Sequence, residues 1–112
     1  MATINDLMAA LGKGKQNAIH AADLAMALGF SPAPNQEELR GFIRDAIKNG
    51  ALIGSSPKLG YWEIASSAEL DAVLNSLEER AQEICARRNA LLNTWNRLHP
   101  NNPSAKTPKN VN

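Results

Sequence analysis

The sequence predicts a mainly α-helical fold with one small β-hairpin and a long C-terminal α-helix. Apolar residues recur at helical steps in three short segments before residue 50. Two short apolar runs, Ala51-Leu52-Ile53 and Tyr61-Trp62-Glu63-Ile64, flank a polar loop with glycine at both ends. From Ser67 to His99 there is neither glycine nor proline.

Taken in order, Ile4, Leu7, Met8 and Leu11 give a first helix over residues 4–11, stopped by Gly12 and Gly14. Residues 17–20 form an extended link. Ala21 to Leu28 gives a second helix, with Leu24, Ala25 and Leu28 on one face and Gly29 placed for a left-handed C-terminal cap. Phe30 is expected to pack back onto the end of that helix. Ser31-Pro32-Ala33-Pro34 is a stiff turn. Asn35 is placed to cap a third helix, with Glu38 as its reciprocal partner. Leu39, Phe42, Ile43, Ala46 and Ile47 form the apolar face of that helix, and Asn49-Gly50 stops it. The hairpin follows, with residues 54–60 as its loop. Tyr61 and Trp62 point to opposite faces of the hairpin, and both are expected to be structural.

The long helix starts at Ser67 as cap, with Glu69 and Asp71 in its first turn, where carboxylates suit the helix dipole. Leu70, Leu74, Leu77, Ala81, Ile84, Arg88, Leu91, Trp95 and Leu98 step by four and three along it. That is a heptad seam with one charged member. Pro100 ends the helix. Residues 1–65 are thus expected as one domain, 66–99 as a long helix suited to coiled-coil dimerisation, and 100–112 as a polar, proline-rich, disordered tail.

Composition narrows the function. The formal net charge is +1, which excludes coating of nucleic acid by bulk charge but leaves room for a local basic patch. Only 4 % of residues are aromatic, so the core is built from Leu, Ile and Ala. The single cysteine, Cys85, permits no intrachain disulfide and no cysteine-based zinc site, as expected of a reduced cytoplasmic protein. The opening residues do not read as a signal peptide, and no stretch approaches the ~20 apolar residues of a membrane span.

No residue pattern supports catalysis. Gly12-Lys13-Gly14-Lys15 lacks the glycine at position 9 and the hydroxyl at position 16 that a phosphate-binding P-loop requires. Ser55-Ser56-Pro57-Lys58 matches one serine-enzyme motif without its companions. His20 and His99 have no acidic or cysteine cluster near them in sequence. The expectation is a non-enzymatic protein with no cofactor and no metal.

Three helices followed by a two-stranded hairpin within about 65 residues is the order of a winged helix-turn-helix. Residues Arg40 to Gly50, followed by Leu52-Ile53-Gly54-Ser55-Ser56 and Gly60-Tyr61-Trp62-Glu63-Ile64, resemble the third helix and wing of winged-helix proteins. They are most similar to small bacteriophage and prophage proteins and to the biotin-operon-repressor type of N-terminal domain. Ala21-Ala22-Asp23-Leu24-Ala25 and Leu28-Gly29 resemble the second helix of the same families. The likeness covers residues 17–65 and extends more loosely into the long helix. The sequence departs from a simple helix-turn-helix in its longer, two-proline turn.

The resemblance implies sequence-specific binding of double-stranded DNA in a bacterial host cell, as a transcriptional regulator. Helical spacing places Arg40, Arg44 and Lys48 opposite the apolar face of the third helix, with Gln36 near its start. A helix fits the major groove, where arginine pairs with guanine and glutamine with adenine. Gly41 would let a backbone approach this face closely. Ser55, Ser56 and Lys58 at the hairpin tip suit phosphate contacts, as do Lys13 and Lys15. The same helical face reads equally as solvated charge, with Glu37, Glu38 and Asp45 compensating the bases.

The seam predicts a partner. Exposing Leu77, Ile84, Leu91, Trp95 and Leu98 leaves an apolar stripe in water, and a helix folded back on its own domain would need a break that no glycine or proline supplies. A homodimer is therefore expected, in which Arg88 snorkels, pairs with a carboxylate such as Glu83 of the second chain, or sets the register. The rival reading is a protein-binding module that uses the same scaffold to grip or inhibit a host protein.

Overall fold

A computed structural model describes residues 2–31 and 36–110 of the chain. The chain divides into two compact units, Met1–Val73 and Leu74–Asn112. The first helix, α1, spans Ile4–Ala10 and opens with a capping box. The Thr3 hydroxyl accepts from the Asp6 N–H at 3.1 Å, and the Thr3 N–H donates to Asp6 Oδ2 at 2.9 Å. This satisfies two amides that a helix start otherwise leaves free.

A short 3₁₀ turn, Lys15–Asn17, leads into α2, Ala21–Leu28. Gly29 closes α2 in the left-handed region at φ 77° and ψ 21°, where a side chain would be strained. The Phe30 N–H then reaches the Ala25 carbonyl at 2.9 Å, so the chain folds back over the helix end as the sequence suggests. The proposed cap Asn35 and the Pro32–Pro34 turn lie outside the described residues. Helix α3 spans Glu37–Lys48.

Two antiparallel strands follow, β1 (Ile53–Ser56) and β2 (Gly60–Glu63). Their register pairs Ile53 with Glu63, Gly54 with Trp62, Ser55 with Tyr61 and Ser56 with Gly60. The expected seven-residue loop is therefore corrected: β1 starts two residues later than the apolar run and continues through Gly54, Ser55 and Ser56. The polar residues belong to the ladder because the backbone pairs regardless of side-chain polarity. At the tip, Ser56 Oγ accepts from the Lys58 and Leu59 N–H groups at 3.2 and 3.3 Å, and this closes a three-residue turn.

The other edge of β2 is also paired. Ile19 and Tyr61 exchange two hydrogen bonds of 2.8 Å, and Glu63 is bridged to the segment Gly12–Gly14 by two of 2.9 Å. Gly60 is required there, since a Cβ at this position would collide with the Ile19 carbonyl, and its φ is 97°. The outer edge of β2 is thus partly covered by two isolated bridges, and α1 and α2 are tied to the hairpin through the link between them.

The core of the first unit is Leu7, Leu11, Leu24, Ala25, Leu39, Ile43, Ala46 and Ile53, contributed by α1, its C-terminal end, α2, α3 and β1. Phe30 and Phe42 pack on it, with ring centroids 5.4 Å apart and planes tilted by 56°. Ile47, expected in the apolar face, is 47 % exposed. It lies about 80° round the helix from Leu39, at the margin of the stripe. Trp62 is buried over Gly54, where a Cβ would lie 2.6 Å from the ring.

Helix α4 runs from Ser67 to Leu98. Its cap is Ser66 rather than Ser67: Ser66 Oγ accepts from the Glu69 N–H at 3.2 Å, and the Ser66 carbonyl accepts from the Leu70 N–H at 3.0 Å. Glu69 also accepts from the N–H groups of Ala65 and Lys15, at 3.0 and 3.2 Å. In the second unit, residues after the helix turn back along it. The Trp95 indole donates to the Asn102 carbonyl at 2.9 Å, the Ser104 N–H to Asn96 Oδ1 at 2.9 Å, and the Lys109 N–H to Asn89 Oδ1 at 3.0 Å. This strap, up to residue 110, differs from the disordered tail expected from its composition. Two asparagines set seven residues apart on α4 hold its backbone.

Candidate functional site

Helix α3 separates its two faces cleanly. Leu39, Ile43 and Ala46 are buried, whereas Arg40, Arg44 and Lys48 are exposed. At 3.6 residues per turn the three bases stand about 100°, 140° and 180° round the helix from Leu39. Glu38 and Asp45 fall on the other flank, about 250° round, so only Glu37 shares the basic stripe. The stripe therefore carries three bases against one acid.

Among the described residues, Gly41 makes no close approach. The nearest atom to where its Cβ would stand is Arg44 Nη2, at 3.8 Å, so the Arg44 guanidinium lies back along the helix over this gap. Gln36 is placed less favourably than the sequence implied. Its backbone is left-handed at φ 52° and ψ 44°, and its side-chain oxygen is buried with no hydrogen-bond partner among the described residues. A bidentate contact to adenine uses both ends of the amide, so this side chain must rotate before it can make one.

At the hairpin tip Ser55 and Lys58 are exposed. Ser56 is half-buried, and its hydroxyl oxygen already serves the turn. Lys13 and Lys15 are exposed on the side of β2 away from β1. Lys15 Nζ lies 5.8 Å from the centre of the Trp62 ring, near enough for a cation–π attraction. The first unit thus brings Arg40, Arg44 and Lys48 into one stripe, and presents Ser55 and Lys58 together at a turn. Lys13 and Lys15 form a separate pair.

The seam of α4 is largely open to water within one chain. Leu77, Ile84, Leu91, Trp95 and Leu98 are 51, 57, 70, 43 and 60 % exposed. Leu92, beside the seam, is buried where the strap passes. Arg88 is drawn out of the seam: its Nη1 donates to the Thr107 carbonyl at 2.9 Å and to Asn89 Oδ1 at 3.0 Å. Trp95 is held in place by its bond to the strap and by the His99 ring stacked 3.7 Å from it. The sequence reading missed Asn89 and Asn96. Their only signal was two asparagines, weak helix formers, one heptad apart.

Among the described residues, no group of three or more His, Cys, Asp or Glu is placed to hold a metal ion, and no helix is long and apolar enough to cross a membrane. No family model, curated protein or solved structure matches the chain.

Proposed function

We propose that the protein is a winged helix-turn-helix DNA-binding protein of the phage and prophage type, acting as a homodimer through α4. The observation that carries this reading is the basic stripe Arg40-Arg44-Lys48, exposed on the helix that follows α2 and precedes the hairpin. The bridge at Ile19 supports it, because it pairs with Tyr61 on the far side of β2 and braces the hairpin. In this reading α3 enters the major groove. Arg40 and Arg44 donate to guanine O6 and N7, and Lys48 meets a phosphate. Ser55 and Lys58 contact the backbone at the wing, and Lys13 and Lys15 supply further phosphate contacts. Two linked copies bind half-sites about 10 bp, or a multiple of that, apart. A regulator of transcription is the role such binding serves.

The test is a titration onto genomic DNA fragments at two salt concentrations. Binding to a subset of fragments is expected to survive competitor DNA and to weaken steeply with salt. Arg40→Ala with Arg44→Ala is expected to cost about 1–3 kcal/mol per guanine contact. Unchanged binding by that double variant rejects α3 as the reading element.

A second reading, a module that grips a host protein, is favoured by the net charge of +1 and by the exposed Glu37, Glu38 and Asp45 on α3. It predicts no salt-sensitive DNA binding at any fragment.

A further inference from the structure

We infer that the two copies pair with their α4 helices antiparallel. The inference rests on the proposed self-association through the seam and adds its direction.

Charge is segregated along the helix. Between Leu74 and Glu83 stand Glu78, Glu79 and Glu83 against Arg80. From Ile84 to Leu98 stand Arg87, Arg88 and Arg97 with no acid. The strap adds Lys106 and Lys109, again with no acid, and lies on this second half. A parallel, in-register pair sets the mainly acidic half against its own copy and the basic half against its own copy. An antiparallel pair sets each acidic half level with the partner's arginines and strap lysines.

Arg88 fits the same direction. In a parallel seam each layer pairs a residue with its own copy, so Arg88 would meet a second Arg88 in the apolar interface. The two like charges would then stand level with each other at that layer, each on its own strap. In an antiparallel seam the layers pair unlike positions, and Arg88 packs its aliphatic stem beside Ile84 or Leu91 of the other copy. Its charged end is already carried away from the seam and bonded to the Thr107 carbonyl. The strap therefore lets an arginine occupy a seam position without burying an unpaired charge.

The direction is read by a distance. In the full-length chain with Cys85→Ser, a spin label is placed through Asn75→Cys, an exposed position outside the seam. Full antiparallel overlap of Leu74–Leu98 separates the two labelled positions by about 22 residues along the axis, or about 33 Å at 1.5 Å per residue. A parallel pair separates them only by the width of two helices, about 20 Å. Sedimentation of the same labelled sample reports its mass. A dimer with a label distance above about 30 Å is the expected result. A dimer with a distance near 20 Å overturns the antiparallel assignment and leaves the seam dimer standing. A monomer at concentrations up to hundreds of micromolar overturns both. Ser76→Cys, also exposed, repeats the measurement should the Asn75 variant fold poorly.

Discussion

Gly41 is a helix-interior glycine with only the Arg44 guanidinium near it among the described residues, in a stripe shared by three bases and Glu37. Glycine costs a helix interior about 1 kcal/mol relative to alanine, mostly as chain entropy. Gly41→Ala is thus expected to raise folding stability by about 0.5–1 kcal/mol in a urea titration. If the stripe meets DNA closely at this point, the same variant weakens DNA binding while the fold becomes firmer. Asp6 carries the pH prediction. The Thr3 N–H and hydroxyl hold its carboxyl below the ordinary carboxylate range. A depressed folded pKa means that the stabilisation is present above the unfolded value and is lost as pH falls through the folded one. Asp6→Asn is expected to flatten that acid limb of a stability-versus-pH curve; an unchanged limb rejects the assignment. At this scale the basic stripe was legible, because a 3.6-residue period fixes which side chains share a face. Gln36 was not, because its inward turn follows from a left-handed backbone that no side-chain period encodes. Arg88 was legible as a conflict, but its resolution by the Thr107 carbonyl depends on a contact 19 residues away.

Helices α1 to α3 were readable to within a residue, since each has an apolar stripe, and α2 and α3 each have a stop at or just past the end. The hairpin was readable in kind but not in extent, because Gly54, Ser55 and Ser56 pair through backbone groups that carry no pattern of polarity. Leu39 is fully buried where α3 meets the core of the first unit. Leu39→Ala is therefore expected to cost about 2–5 kcal/mol, read by chemical denaturation. The strap escaped a compositional reading because polar, proline-rich chain usually cannot bury enough surface to order itself. Here the asparagine side chains of α4 supply the hydrogen bonds that a sheet neighbour would. Asn89 Nδ2 donates to the Lys109 carbonyl while its Oδ1 accepts from the Lys109 N–H, and Asn96 does the latter for Ser104. Asn89→Ala with Asn96→Ala is expected to speed hydrogen exchange at the Ser104 and Lys109 amides and leave the amides of α1 to α3 as they were. Unaltered exchange at those two positions would show that the strap is held by something other than the asparagines.

For the whole molecule, the question is what an open seam does to a protein whose other apolar residues have a core of their own. The first unit buries Leu7, Leu24 and Leu39 completely, and none of the seam residues from Leu77 to Leu98 belongs to that cluster. Folding of the first unit therefore does not need the seam, and the proposed self-association is expected to be removable without unfolding it. Each large side chain taken out of water is worth roughly 1.5–3 kcal/mol, so two exposed seam positions carry a large share of any pairing energy. Ile84→Glu with Leu91→Glu is expected to convert a concentration-dependent melting temperature into a concentration-independent one, with sedimentation at the mass of one chain. Specific DNA binding should weaken at the same time, because two linked reading helices become two separate ones and the gain in effective concentration is lost. The converse outcome is equally informative. If the double variant stays paired, the seam is not the interface and the apolar stripe of α4 must be covered by some other molecule. If it is a monomer that binds DNA as tightly as the parent chain, dimerisation and DNA reading are independent properties of the two units.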